Sequence, residues 1–130
     1  KQGYIYPKLL EGNLIGMPSL LVRRECIEKA GLLHEGFQSL EDYEWILRLG
    51  KLYEVAYIDE IIVDVYAQAE SVNRNLSANF SARCILIGMY KEEMARYGVL
   101  ESVVQEFLGE AGYLGCLEQV ATALKQVLSN

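Results

Sequence analysis

From Leu76 onward, apolar residues return at every third or fourth position. Phe80, Cys84, Ile87, Met94 and Tyr97 follow a period near 3.6 and predict one face of a long helix that Gly98 ends. Leu114, Leu117, Ala121, Leu124 and Leu128 repeat that spacing and predict a last helix. A short helix around Glu101 to Leu108 is expected between the two. Upstream of Leu76 the pattern is mixed. Tyr6 to Glu11 predicts a short helix ending near Gly12 and Asn13, and Arg24 to Ala30 another, stopped by Gly31. Leu20-Leu21-Val22, after Pro18-Ser19, reads as a buried strand. Glu54 to Ile58 and Ile61 to Tyr66 are rich in Val, Ile and Tyr, as strands are, with Asp59-Glu60 as a bend between them. The pattern therefore predicts an α+β chain, predominantly helical, with a mixed part up to about residue 70 and a helical tail.

The run from Ser39 to Leu49 places two acidic residues, Glu41 and Asp42, at the head of an apolar helical pattern that Gly50 is expected to stop. One reading is a cap. Ser39 followed three positions later by Asp42 fits the [ST]-x-x-[DE] pattern, in which the hydroxyl accepts from the Asp42 amide and the carboxylate faces the positive end of the helix dipole. The other reading is chemical. Asp42, Trp45, Ile46 and Leu49 stand at i, i+3, i+4 and i+7, so Asp42 shares a face with the apolar stripe, where a carboxylate is costly unless it is used or paired. Such a position suits a general base at the mouth of a cleft. Trp45 beside it offers a flat apolar face that either stacks on a sugar ring or fills the core. Glu44 and Arg48, four apart, are placed to pair on another face. Helical geometry leaves both readings open.

Composition narrows the classes. A chain of 130 residues with 52% hydrophobic content suits one globular domain. A net charge of -6 argues against nucleic acid and gives no attraction to anionic lipid. Cys26, Cys84 and Cys116 form no CxxC pair, and His34 is the sole histidine, so neither a disulfide framework nor a metal cluster is indicated. No apolar run approaches the roughly 18 residues that span a bilayer, and there is no signal-peptide pattern. The chain opens Lys1-Gln2-Gly3 and enters structured-looking sequence at once. That is expected of a segment cut from something longer, although a processed terminus would look the same.

In order along the chain stand Arg23-Arg24-Glu25, Gly31-Leu32-Leu33-His34-Glu35, Glu41-Asp42 and Arg48, followed by the two predicted strands. This ordered set, over roughly residues 3 to 75, resembles the C-terminal, acceptor-binding half of a family 2 glycosyltransferase with the GT-A fold. The resemblance implies that residues 1–75 belong to a glycosyltransferase catalytic domain; residues 76–130 lie beyond it and are expected, from their amphipathic pattern, to be a helical tail packed on that part. It implies that Asp42 is the catalytic base, that Glu41 and Trp45 shape the acceptor pocket, and that Ser39, Glu44 and Arg48 brace the helix. The implied reaction is inverting transfer from a nucleotide-sugar to a sugar or lipid-linked acceptor in bacterial polysaccharide or glycoconjugate assembly, in the cytoplasm or at the inner face of the membrane. The rival is a non-catalytic helical interaction module, a degenerate transferase half, in which Ser39 and Asp42 only cap; a homodimer is left open.

The chain departs from the family pattern at two places, the second of which bears on the metal. His34 and Leu33 replace the loop's usual aspartate and aromatic residue, and Tyr66-Ala67-Gln68-Ala69 replaces a Tyr-Arg-x-His run whose histidine helps hold metal or diphosphate. The chain also lacks an Asp-x-Asp motif. A divalent Mg or Mn is thus allowed only in a full-length enzyme, with its ligands outside this chain, and the segment alone is expected to be inactive.

Overall fold

The computed structural model describes residues 2–66 and 75–130. Among them are six α-helices: α1 (Tyr6–Glu11), α2 (Arg24–Ala30), α3 (Glu41–Leu52), α4 (Leu76–Arg96), α5 (Leu100–Tyr113) and α6 (Leu117–Ser129). A single 3-10 turn, Met17–Ser19, joins the α1 and α2 regions. Pro7 in the first turn of α1 needs no amide partner there, and Asn75 caps α4 by accepting the Ala78 amide at 3.1 Å. Gly98 turns the chain from α4 into α5 with φ at +71°, a left-handed conformation that side chains disfavour.

The apolar faces meet in one cluster. Tyr6, Leu9 and Leu10 from α1 and Ile46 and Leu47 from α3 join Leu86, Ile87 and Met94 from α4, with Phe107 from α5 and Leu124 from α6. The predicted tail is therefore continuous with the rest of the core. Two glycines set how closely the helices approach. A Cβ on Gly50 would lie 2.5 Å from Leu9 Cδ1, and one on Gly88 would lie 2.4 Å from Val127 Cγ1.

Several expectations are corrected. Over the described residues the protein is all-helical, and not the α+β, GT-A-type fragment that pattern and resemblance implied. Leu20-Leu21-Val22, Glu54 to Ile58 and Ile61 to Tyr66 form no strand. Among the described residues their one ladder contact is an antiparallel bridge in which the Gly3 amide donates to the Val55 carbonyl at 2.6 Å and the Val55 amide donates back at 2.8 Å. Strand propensity becomes a sheet only when a neighbouring chain segment completes the peptide hydrogen bonds. None does among the described residues, where Leu21 and Ile61 are 96% and 92% exposed.

Gly50 does not stop α3, because it serves the contact with α1. Likewise α5 runs through Gly109 and Gly112 to Tyr113; burial of Phe107 and Ala111 outweighs a helix penalty of about 1 kcal/mol per glycine. α6 presents Val120 and Leu124 inward while Leu117 and Leu128 are exposed, because the contact with Gly88 sets its phase. The replacement for the Tyr-Arg-x-His run lies outside the described residues from Ala67 onward, as does the boundary expected near residue 70.

Candidate functional site at the head of the third helix

α3 starts differently from a serine-capped helix. Its N-cap is Leu40, held at φ 60° and ψ 19°, with no side-chain cap hydrogen bond. A left-handed leucine is strained backbone that the surroundings must hold in place. Ser39 is 1% exposed and stands one residue too early to reach the free amides. Asp42 takes over that task. Its Oδ1 accepts the Tyr43 amide at 2.7 Å, so the carboxylate itself closes one of the open donors of the first turn. Asp42 is half-buried, Glu41 is exposed, and no cationic side chain among the described residues forms an ion pair with Asp42.

Two positions on, Glu44 has the opposite environment. It is 1% exposed, and both of its oxygens are bound. Arg48 Nε donates to Oε1 at 2.9 Å and to Oε2 at 3.1 Å, Arg48 Nη2 donates to Oε2 at 2.9 Å, and the Tyr90 hydroxyl donates to Oε1 at 3.1 Å. The expected Glu44–Arg48 pair is thus present, buried on the Glu44 side and half-buried at Arg48, and extended by a residue of α4. Burial, and then the Glu44 charge, push the Tyr90 phenol up from its ordinary value.

The remaining Arg48 donors reach back to the end of α2. Nη1 donates to the Ala30 carbonyl and Nη2 to the Leu32 carbonyl, the latter at 2.7 Å. Between them, the Trp45 indole N–H donates to the Gly31 carbonyl at 2.7 Å. Three successive carbonyls that α2 leaves open are therefore held by α3 side chains. Trp45 is 7% exposed and spends its polar edge on this bond. On the far side of α3, the Tyr43 hydroxyl donates to the Leu9 carbonyl, and burial pushes its phenol up to about 12.

An open depression of about 500 Å³ lies beside this clamp, lined by Leu32, Leu33, His34, Glu35, Arg48 and Met89 among others. Asp42 does not line it; Asp42 and Glu44 are two positions apart, which on a helix sets them on nearly opposite faces. In the loop itself His34 Nδ1 accepts the Gly36 amide at 3.1 Å, and its ring meets Phe37 edge-on. Among the described residues no three His, Cys, Asp or Glu side chains converge where a metal ion could be held, so the donor set does not fit a divalent metal site. The structure thus brings Glu44, Trp45 and Arg48 together in the clamp, while Glu41 and Asp42 stand at the head of the same helix away from the depression and Ser39 is buried just before its start. Tyr90 escaped the sequence reading. Its signal was a hydroxyl three residues after Ile87 on a buried stripe, where the polar tip needs a partner.

No family model, curated protein or solved structure matches this chain.

Proposed function

We propose that this chain is the acceptor-binding, general-base portion of an inverting glycosyltransferase. It would act on a nucleotide-sugar donor and a sugar or lipid-linked acceptor, in bacterial polysaccharide or glycoconjugate assembly. The observation that supports this reading is the contrast between Asp42 and Glu44. Glu44 is saturated by Arg48 and Tyr90, whereas Asp42 is half-buried at a helix N-terminus, fixed through Oδ1 and without an ion-pair partner among the described residues. In the proposed step, Oδ2 accepts the proton of an acceptor hydroxyl as that oxygen attacks the anomeric carbon. The nucleoside diphosphate leaves from the opposite face, so the configuration inverts. The donor site would lie mostly outside these residues, which carry no Asp-x-Asp motif. No helix among the described residues is long and apolar enough to cross a membrane; a place at the inner membrane face would rest on the acceptor.

The test is Asp42→Asn in the protein as its gene encodes it, read as nucleoside diphosphate release from a panel of UDP- and GDP-sugars with glycan acceptors. The expected result is a loss of roughly 10²- to 10⁴-fold in rate with the fold retained. A variant that turns over within a few-fold of the parent would overturn the reading.

A second reading, a non-catalytic interaction module, draws on the apolar side chains of Ile58, Ile61, Ile62, Val65 and Tyr66, all exposed. Under it the same substitution costs only part of a cap, about 1 kcal/mol of stability, and leaves function intact.

A further inference from the structure

We infer that Tyr90 is a positioning residue for Asp42, so that α4, which lies outside the residues carrying the family resemblance, sets the geometry of the candidate base. The inference rests on the glycosyl-transfer reading for its consequence, but its structural content stands apart from it. Tyr90 is buried, and its hydroxyl donates to Glu44 Oε1 at 3.1 Å. Glu44 in turn orients the Arg48 guanidinium, whose outer donors hold the Ala30 and Leu32 carbonyls. Those carbonyls, with Gly31 held by Trp45, fix where the chain leaves α2. The same stretch must re-enter α3 eight residues later through Leu40 in its left-handed conformation, directly before Glu41 and Asp42.

An ion pair with a buried carboxylate adds little net stability compared with apolar residues of the same shape, so its main consequence is the geometry it specifies. Here that geometry is the path from α2 to Leu40. Strain of this kind persists only where the surroundings over-determine it; core packing of Phe37 and Leu40 holds the near end of this path, and the clamp holds its far end. A second tie, the Lys51–Glu93 ion pair, also joins α3 to α4 but lies at the opposite end of α3 from Asp42.

The chain has one tryptophan, so Trp45 gives a single indole N–H resonance that reports the clamp directly, and the Tyr43 amide reports the Asp42 carboxylate. The experiment is Tyr90→Phe in the protein as encoded, with Tyr97→Phe as the control on the same helix and Asp42→Asn alongside. For Tyr90→Phe, the Trp45 indole and the Tyr43 amide should both shift, and their hydrogen exchange should quicken by about tenfold, a lost hydrogen bond's worth. With the UDP- and GDP-sugar panel, kcat should fall roughly 10- to 100-fold, as for a base displaced by a fraction of an ångström, while KM for donor stays constant. Tyr97→Phe should change neither signal. Unmoved resonances in Tyr90→Phe overturn the inference, as does an unchanged kcat when Asp42→Asn is inactive, and in both cases the transfer reading stands. Moved resonances with a fully active Asp42→Asn instead overturn the transfer reading and leave the positioning of Asp42 supported.

Discussion

Two non-helical stretches flank α3, and they differ in how their peptide groups are held. The stretch from Ala30 to Leu40 is fastened by side chains of α3: Arg48 and Trp45 take three consecutive carbonyls. Among the described residues, the stretch from Glu54 to Tyr66 has one backbone tie to another segment, the bridge from Val55 to Gly3. Yet the second stretch is the more apolar, with Ile58, Ile61, Ile62, Val63 and Val65, and its hydrophobicity does not bury it. Apolar area stabilises a segment only where another surface receives it. A few directed hydrogen bonds fix the first stretch where a larger apolar content leaves the second exposed.

The comparison is broken most directly at Arg48. Arg48→Ala strips the partner from a buried carboxylate and the donors from two carbonyls, and should cost about 3–5 kcal/mol in urea unfolding. Replacing both partners by apolar residues, Glu44→Leu with Arg48→Met, should recover much of that loss. If Arg48→Ala were no more damaging than a substitution in the Glu54 to Tyr66 stretch, the contrast would fail.

Alkali gives the next largest effect. Burial raises the Tyr43 phenol from 10.0 to about 12 in the folded state. The folded protein therefore binds this proton more tightly than the unfolded chain does. The stability it contributes is present below pH 10 and is lost as pH rises from about 10 to about 12. The loss from this group should be about 2–3 kcal/mol, seen as a steeper alkaline fall in urea midpoint that Tyr43→Phe flattens.

Leu40 gives a smaller effect. Leu40→Gly relieves a left-handed side chain by about 1 kcal/mol but removes a leucine packed on the core, so the net loss should be about 1–2 kcal/mol, less than truncating a packed leucine usually costs. Smallest of all, Ile61→Ser and Val65→Ser should change stability by less than about 0.5 kcal/mol, because both side chains are already in water. A larger loss on thermal unfolding would show that the stretch is received by a surface after all.

The helices were legible wherever the apolar period coincided with a usable stop. Tyr6 to Glu11, Arg24 to Ala30 and the α4 stripe from Phe80 to Tyr97 all lie where the period places them. The misplaced ends share one cause. Gly50, Gly109 and Gly112 look like stops in the sequence, but Gly50 fits inside α3 because Leu9 lies against it, and α5 passes Gly109 and Gly112 because Phe107 and Ala111 are buried. The strands failed for a related reason. Val and Ile content reports fitness for a sheet and not the presence of a partner strand, and no sequence-local signal supplies the partner. At the site, the Glu44–Arg48 pair was readable from its spacing, whereas its burial, its Tyr90 partner and the left-handed Leu40 were not. Each depends on α4 or on the α2 loop arriving from elsewhere in the chain. The serine cap was misread because a spacing rule cannot see that Leu40 already occupies the cap position.

The close approach of Gly50 to Leu9 carries a consequence for how this chain can vary. With 2.5 Å between a would-be Cβ and the leucine methyl, positions 9 and 50 share a single volume. Among related sequences, a larger residue at 50 should therefore arise together with a smaller one at 9, and the two should change as a pair although 41 positions separate them. The seam between α1 and α3 would then leave its trace as a correlated pair, while the exposed stretch from Ile58 to Tyr66 would drift freely wherever nothing covers it.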